Sequence, residues 1–289
     1  MMQTVIHPGP VASERLELHK AHGTPVTLTL KAGIPLETAV AHALADIGCE
    51  NSAYLEMTDA PVSDLVYLMP AYAPDEAHVA WYSDMHRFDG PGRIVHMGMI
   101  VGYRDARCFI HGHGSWQPQG GPLAMGHILS PMTVLSEPAT VTGFALSGAR
   151  FEGAYDEETN FTLFRPAAMG DGVTDDAEYA VLRMMPNQDF DTALDAACER
   201  LGWQGARAWG VGSINRPTFE DGREMDSLPT ELVLLDAQGR AEGAARAGSE
   251  IRVVGIGTNQ IDEGRLRRGD NSILITAELV LQRHDQAPG

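Results

Sequence analysis

Apolar residues recur along this chain with two different periods. In "PVTLTL", residues 25–30, they alternate with polar ones, the two-residue period of a half-buried strand. From Ile34 the spacing changes. Leu36, Ala39, Val40, Ala43, Leu44 and Ile47 fall on one face of a helix, and Gly48 follows as its stop. The unit of strand, turn and helix then returns in "YAVLRMMPNQDFDTALDAACERLGWQGARAW", where Phe190, Ala193, Leu194, Ala197 and Leu201 repeat the apolar face and Gly202 the stop. The offset is 154 positions throughout: Leu36 with Phe190, Thr38 with Thr192, Ala39 with Ala193, Gly48 with Gly202. The runs that follow, "SAYLEM" and "ARAWGVGSI", match as well, so the pattern predicts two copies of one domain.

After each helix the chain reads mainly as strands: "DLVYLMP", "RIVHMGMIVGY", "RCFIHGHGSW" and "TVTGFALSGARF", then "TELVLLDAQG", "EIRVVGIGT" and "SILITAELVLQ". One helix over a mainly antiparallel sheet predicts an α+β fold for each copy. The segment "RPAAMGDGVTDDAE", residues 165–178, is rich in small, turn-forming and acidic residues and reads as a connection. The expected organisation is a first domain over 12–166, a linker over 167–177 and a second domain over 178–284. Only the first copy carries the insertion "AYAPDEAHVAWYSDMHRFDGPG". Its Trp81, Tyr82, Met85 and Phe88 could cover a pocket or a neighbouring subunit, although a loop packed on its own domain is the commoner case.

Composition narrows the picture by exclusion. The 289 residues are 44% hydrophobic and 21% charged, which suits a folded globular chain. No run approaches a membrane span, and "MMQTVIHPGPVASERL" lacks the regions of a secretory signal, so a cytoplasmic protein is expected. Cys49, Cys108 and Cys198 are too few and too widely spaced for a disulfide framework. Cys49 and Cys198, near the ends of the two helices, are expected to be buried and unreactive. The net charge of −18 weighs against nucleic acid as a partner, because binding there depends on neutralising phosphates. The densest basic cluster, Arg265, Arg267 and Arg268, has Asp262, Glu263 and Asp270 around it and reads as a solvated loop.

The chemistry lies in "CFIHGHGSWQPQGGPLAMGH", residues 108–127. Residues two apart on a strand share a face, so His111 and His113 present their imidazoles side by side, while Cys108 points the other way. A glycine-rich turn can bring His127 back to them. Three neutral imidazoles would hold zinc with one position open. Taken singly, each histidine would be a half-buried strand residue satisfied by hydrogen bonds; taken together, they would repel on protonation and need separate partners. If "GYRDARC" closes a hairpin around Arg104 and Asp105, paired residues place His96 opposite His113, as an alternate ligand or a group that orients one.

The order strand, amphipathic helix, sheet, "IHGHGSW", "GGPLAMGH" and "FEGAYDEETNFTLFRP" resembles the plants-and-prokaryotes-conserved (PPC) domain, in two tandem copies over nearly the whole chain. The resemblance implies an α+β domain that assembles into trimers, with His111, His113 and His127 at positions that bind zinc in some prokaryotic members. That family is often labelled DNA-binding, but this chain has no Arg-Gly-Arg-Pro AT-hook. In the second copy, aligning "VVGIGT" with "FIHGHG" puts Gly255 and Gly257 in place of His111 and His113, and Asp270 in place of His127. The second copy is therefore expected to serve folding and assembly alone.

Three functions compete. The first is a zinc-bearing, homotrimeric interaction or regulatory module, with the metal close to a chain boundary. The second is a zinc-dependent hydrolase or lyase, in which Glu137, Asp156 or Glu158 moves a proton, although "DEETN" reads more readily as a turn or cap. DNA binding comes last.

Overall fold

The computed structural model describes residues 2–49, 52–170, 173, 176–241, 246–256 and 260–284; part of the expected linker lies outside them. Both periodic segments form helices. α1 (Leu36–Asp46) buries Leu36, Ala39, Val40, Ala43 and Leu44, whereas Ile47 falls past its end and is exposed. α2 (Phe190–Leu201) buries all five residues of its expected face. Its start is fixed by Asp189, whose carboxylate accepts the Thr192 N–H at 3.0 Å, and its end by Gly202 at φ +71°, a left-handed conformation that only glycine adopts without cost.

The rest is mostly strand. In chain order these are β1 (Leu16–Leu30), β2 (Ala53–Leu68), β3 (Pro70–Ala71), β4 (Trp81–Tyr82), β5 (His86–Arg104), β6 (Arg107–Pro118), β7 (Ala124–Ile128), β8 (Val134–Leu135), β9 (Ala139–Ser147), β10 (Ala149–Tyr155) and β11 (Thr162–Ala168). They continue as β12 (Tyr179–Met184), β13 (Gly205–Ile214), β14 (Glu231–Arg240), β15 (Glu250–Val254), β16 (Ile261–Arg265) and β17 (Ile273–Arg283). The architecture is α+β and dominated by antiparallel sheet. The pairing sequence β1-β9-β2-β5-β6-β7 is matched by β12-β17-β13-β14-β15-β16. β1 joins the two: Leu16–Ala21 pair with β12, and His22–Leu30 pair with β9.

Each helix covers its own apolar cluster. A third cluster forms where the two halves of the chain meet, with Tyr54, Ile100, Phe151 and Phe164 against Val211, Val233, Val254 and Val280. This junction decides where the histidines sit, because β6 and β14 lie on either side of it.

One expected register is corrected. The β5–β6 hairpin turns at Asp105 and Ala106, both left-handed at φ +53° and +57°, so Gly98 stands opposite His113 and His96 opposite Ser115. The cysteine expectation is half corrected too. Cys198 is fully buried beside Leu194, and burial pushes its thiol up to about 12. Cys49 is only partly buried, with its thiol 3.4 Å from the Ser52 carbonyl. Under native conditions Cys49 should therefore react with a maleimide at least about tenfold faster than Cys198, whose thiolate is both rare and enclosed. Equal rates by mass spectrometry would contradict this placement.

Candidate metal centre

Three strands position the histidines. β6 carries His111 and His113 on one face, and the intervening Gly112 turns to the other, against Ile128 and Met99. β7 pairs with β6 on one edge, His113 opposite His127, and with the long β2 on the other, Leu68 opposite His127. That double pairing is possible because residue 126 is glycine: a Cβ there would run into the Leu68 carbonyl. The turn "GGPLAMGH" thus delivers His127 as the sequence suggested.

The ring centroids of His111, His113 and His127 lie 4.8, 5.1 and 5.5 Å apart, and one nitrogen from each falls within 4.8 Å of the others. His113 and His127 are buried, and His111 is partly so. The hydrogen bonds define which nitrogens face inward. His113 Nδ1 lies 2.9 Å from the Leu232 carbonyl oxygen, which can only accept, so Nδ1 carries the hydrogen and Nε2 presents a lone pair. His111 Nδ1 lies 2.5 Å from Glu278 Oε2, and its Nε2 stands 3.1 Å from His113 Nε2. Two imidazole nitrogens this close need a proton or a cation between them. His127 Nδ1 is buried without a hydrogen-bond partner.

Burial, reinforced by the neighbouring imidazoles, holds His113 well below the usual histidine range and pushes His127 down to about 3. Both are neutral at physiological pH, the form in which imidazole binds a metal. The donor set fits zinc: three imidazoles on three-strand scaffolding, a carboxylate behind one ring and a carbonyl behind another.

The second half of the chain builds the other side of the site. Glu278 on β17 is fully buried, and its second oxygen accepts the Phe164 N–H at 3.2 Å. Glu231, at the start of β14, is 5% exposed. The backbone at His127 hydrogen-bonds its carboxyl, Oε2 has no partner, and burial holds the group well above the usual carboxyl range. A cavity of about 60 Å³ opens beside His111 and His113, lined by Trp81, Tyr82, Phe161 and Leu163, by the hydroxyl-bearing Ser213, Thr230 and Thr276, and by Glu231. The insertion therefore packs on its own chain and covers a pocket with Trp81 and Tyr82. Tyr82 is itself held above the ordinary tyrosine range by burial and by Glu231 and Glu278.

Other expected residues lie elsewhere. His96 faces Glu56 at 3.8 Å and does not join the three histidines. Asp156 caps its own turn by accepting from the Thr159 N–H at 2.9 Å and hydroxyl at 2.7 Å, and it pairs with Arg183; Glu158 is held by Arg15. Glu137 is exposed and lines a separate groove. The alignment of Gly255 with His111 is corrected, since β15 ends at Val254; Gly257 lies outside the described residues, and Asp270 sits before β17 beside Arg267. Nor does the second half serve as scaffold alone, because Glu278, Glu231 and the Leu232 carbonyl all face the site. A single glutamate inside the apolar run "ILITAELVLQR" was the available signal for Glu278.

Compared with known proteins, the chain matches no family model and no curated protein. Solved structures similar to it include a metal-containing protein from Archaeoglobus fulgidus, at 22% identity over 51% of this chain and 96% of that one, with a TM-score of 0.41. A protein from Ralstonia eutropha, named for a supposed DNA-binding role, shares 14% identity over 50% and 94% of the two chains, with a TM-score of 0.38. A PPC protein from Pyrococcus horikoshii shares 15% over 55% and 100%, with a TM-score of 0.36.

Proposed function

We propose that this chain is a tandem PPC-type protein that binds one zinc ion through His111, His113 and His127 and presents it to a small internal cavity, as a ligand-responsive interaction or regulatory module. The observation that carries this reading is the pair of inward lone-pair positions, His111 Nε2 and His113 Nε2 at 3.1 Å, beside His127. Bound there, zinc supplies a Lewis acid with one open position. The chain's part is orientation: Glu278 and the Leu232 carbonyl fix the ring nitrogens of His111 and His113, and the aromatic wall limits access of water. The matched strand orders of the two halves support the tandem reading, with domains over 12–166 and 178–284.

Elemental analysis tests the proposal. One zinc per chain is expected, removable by chelator and lost in the His111→Ala/His113→Ala variant. Glu278→Gln is expected to weaken metal binding by about 10–100-fold, as loss of a ligand-orienting partner does. Metal retained in the double variant would end the assignment.

A zinc-dependent hydrolase or lyase is the second reading, favoured by the free oxygen of Glu231 in the cavity. DNA binding is disfavoured by the charge of −18; salt-sensitive retention of DNA in a gel shift would reverse that judgement. For assembly the proposal is a homotrimer of 31.2 kDa chains. Light scattering at micromolar concentration should return three times the chain mass, and a monomeric mass would refute it.

A further inference from the structure

We propose that the cavity beside the three histidines binds a short aliphatic monocarboxylate, its carboxylate toward the metal and the hydroxyls of Ser213 and Thr276, its carbon tail against the apolar lining. The inference rests on the metal reading above and deepens it by naming a ligand class.

The second half of the chain carries the argument. Where it meets the histidine-bearing half, the neighbouring strands β17, β13 and β14 bury Val280, Val211 and Val233 in the junction cluster. Residues two apart on a strand share a face, so that face continues as Glu278 and Thr276 on β17, Ser213 on β13 and Glu231 on β14. Three strands thus turn from valine to polar residues at one place. That place is the cavity: Ser213, Glu231 and Thr276 line it, and Glu278 bonds His111. Buried polar groups cost stability unless they are bonded, so the change marks a site rather than a stretch of core.

The bonds of these groups are incomplete. The Ser213 hydroxyl accepts the Ile275 N–H at 3.0 Å, and the Thr276 hydroxyl accepts the Arg183 Nε–H at 3.4 Å. Among the described residues neither hydroxyl gives its own hydrogen to an acceptor, and Glu231 Oε2 is likewise unpartnered. Thr230 differs. Its hydroxyl accepts from the Ile214 N–H and donates to the Ile214 carbonyl, so it has nothing left to offer. Two free hydroxyl hydrogens in one cavity call for a ligand that presents acceptor oxygens.

The metal sets the charge. Zinc brings two positive charges, neutral imidazoles bring none, and the Glu278 carboxylate behind His111 offsets one. A monoanion completes the balance, and Glu231, which burial keeps in its uncharged form, does not oppose it. Size and lining set the rest. A volume of about 60 Å³, at about 10–15 Å³ for each water-sized group, admits a ligand of roughly four to six heavy atoms. Trp81, Phe161, Leu163 and Leu274 add apolar lining, which favours an aliphatic tail over an inorganic anion.

Propionate tests this against two controls: propionamide has its shape without its charge, and formate has its charge without its tail. Cobalt(II) in place of zinc gives visible bands that report on a ligand near the metal. In the cobalt-loaded, otherwise unmodified protein, propionate is expected to shift the bands with an apparent affinity at least tenfold tighter than either control, since each buried carbon of the tail contributes about fourfold. Propionamide or formate binding as well as propionate would overturn the inference, and so would no response to propionate at tens of millimolar. In Thr276→Val and in Ser213→Ala, cobalt content should stay at one per chain while propionate binding falls about tenfold. Thr276→Ser should keep most of it. Undiminished binding in both Thr276→Val and Ser213→Ala would also overturn the site. Failure to take up cobalt at all would show in elemental analysis and sink the metal reading and this inference together, whereas cobalt bound without a response to propionate would sink this inference alone.

Discussion

Replacing Arg183 by methionine is expected to destabilise the chain by about 3–5 kcal/mol, the cost of leaving a buried charge without its partner. Arg183 on β12 is fully buried. Its guanidinium reaches Asp156 at 2.8 Å, Glu17 at 3.3 Å and the Thr276 hydroxyl at 3.4 Å, so it ties β12 to the turn after β10, to β1 and to β17. Burial alone would raise the Asp156 carboxyl. The charge and hydrogen bond of Arg183, with the Thr159 contacts, outweigh it and hold Asp156 below the ordinary carboxylate range. Removing Arg183 strands that carboxylate, 5% exposed, beside an apolar side chain. The double variant Arg183→Met/Asp156→Asn should recover much of the loss, because no uncompensated charge remains. Urea denaturation of the four proteins of this cycle measures the coupling directly. A loss below about 1 kcal/mol in the single variant would show that water reaches Asp156 and that the pair is not enclosed.

What the sequence made legible was what short-range periodicity controls. The apolar stripes of both helices and their glycine stops are local properties, and so is the common face of His111 and His113, which needs only a strand. His127 was legible because a glycine-rich turn returns a chain to its neighbour. The failures are matters of what packs against what, which short-range pattern does not carry. The β5–β6 turn places Asp105 and Ala106 in left-handed conformations, where Asn-Gly or Asp-Gly would have announced it, so the turn chemistry gave no warning and His96 was set opposite the wrong residue. Cys49 shares a helix end with an exposed Ile47, and its burial depends on how the segment leaves that helix. Glu231 and Glu278 come from strands more than a hundred positions beyond the histidines, and only the packing of one half of the chain on the other brings them near. The second half could be read as having lost the histidines, but not as having acquired the carboxylates that face them.

Metal-free protein is expected to lose stability steeply as pH falls from about 6.5, and added zinc should delay the loss. His113 and His127 have folded-state pKa values below the unfolded value, so below about pH 6.5 the unfolded chain takes up protons that the folded chain refuses. Stability is therefore full above that pH and declines below it, by about 1.4 kcal/mol per pH unit for each histidine, or about 2.7 for the two together. The decline from His127 continues until pH nears its folded value of about 3. His7, buried near Glu158 and likewise lowered by burial, adds in the same direction. Carboxylates held low, such as Asp156, titrate below the window from pH 6.5 to 4.5. Glu231, held well above the carboxyl range by burial, works against the histidines within it and offsets part of the decline, because the folded chain keeps a proton that the unfolded chain has released. Zinc at about a hundred times its dissociation constant should add about 2.7 kcal/mol at neutral pH by binding only the folded chain. That increment should persist while His113 and His127 stay neutral in the folded chain and fall only as pH nears about 3, where His127 takes up a proton. Denaturation curves at half-unit intervals, with and without zinc, test both parts. A metal-free stability flat between pH 6.5 and 4.5 would mean that the histidines take up protons freely in the folded chain, which would contradict their burial; a zinc increment that outlasts the protonation of His127, below about pH 3, would place the ion on groups other than these imidazoles.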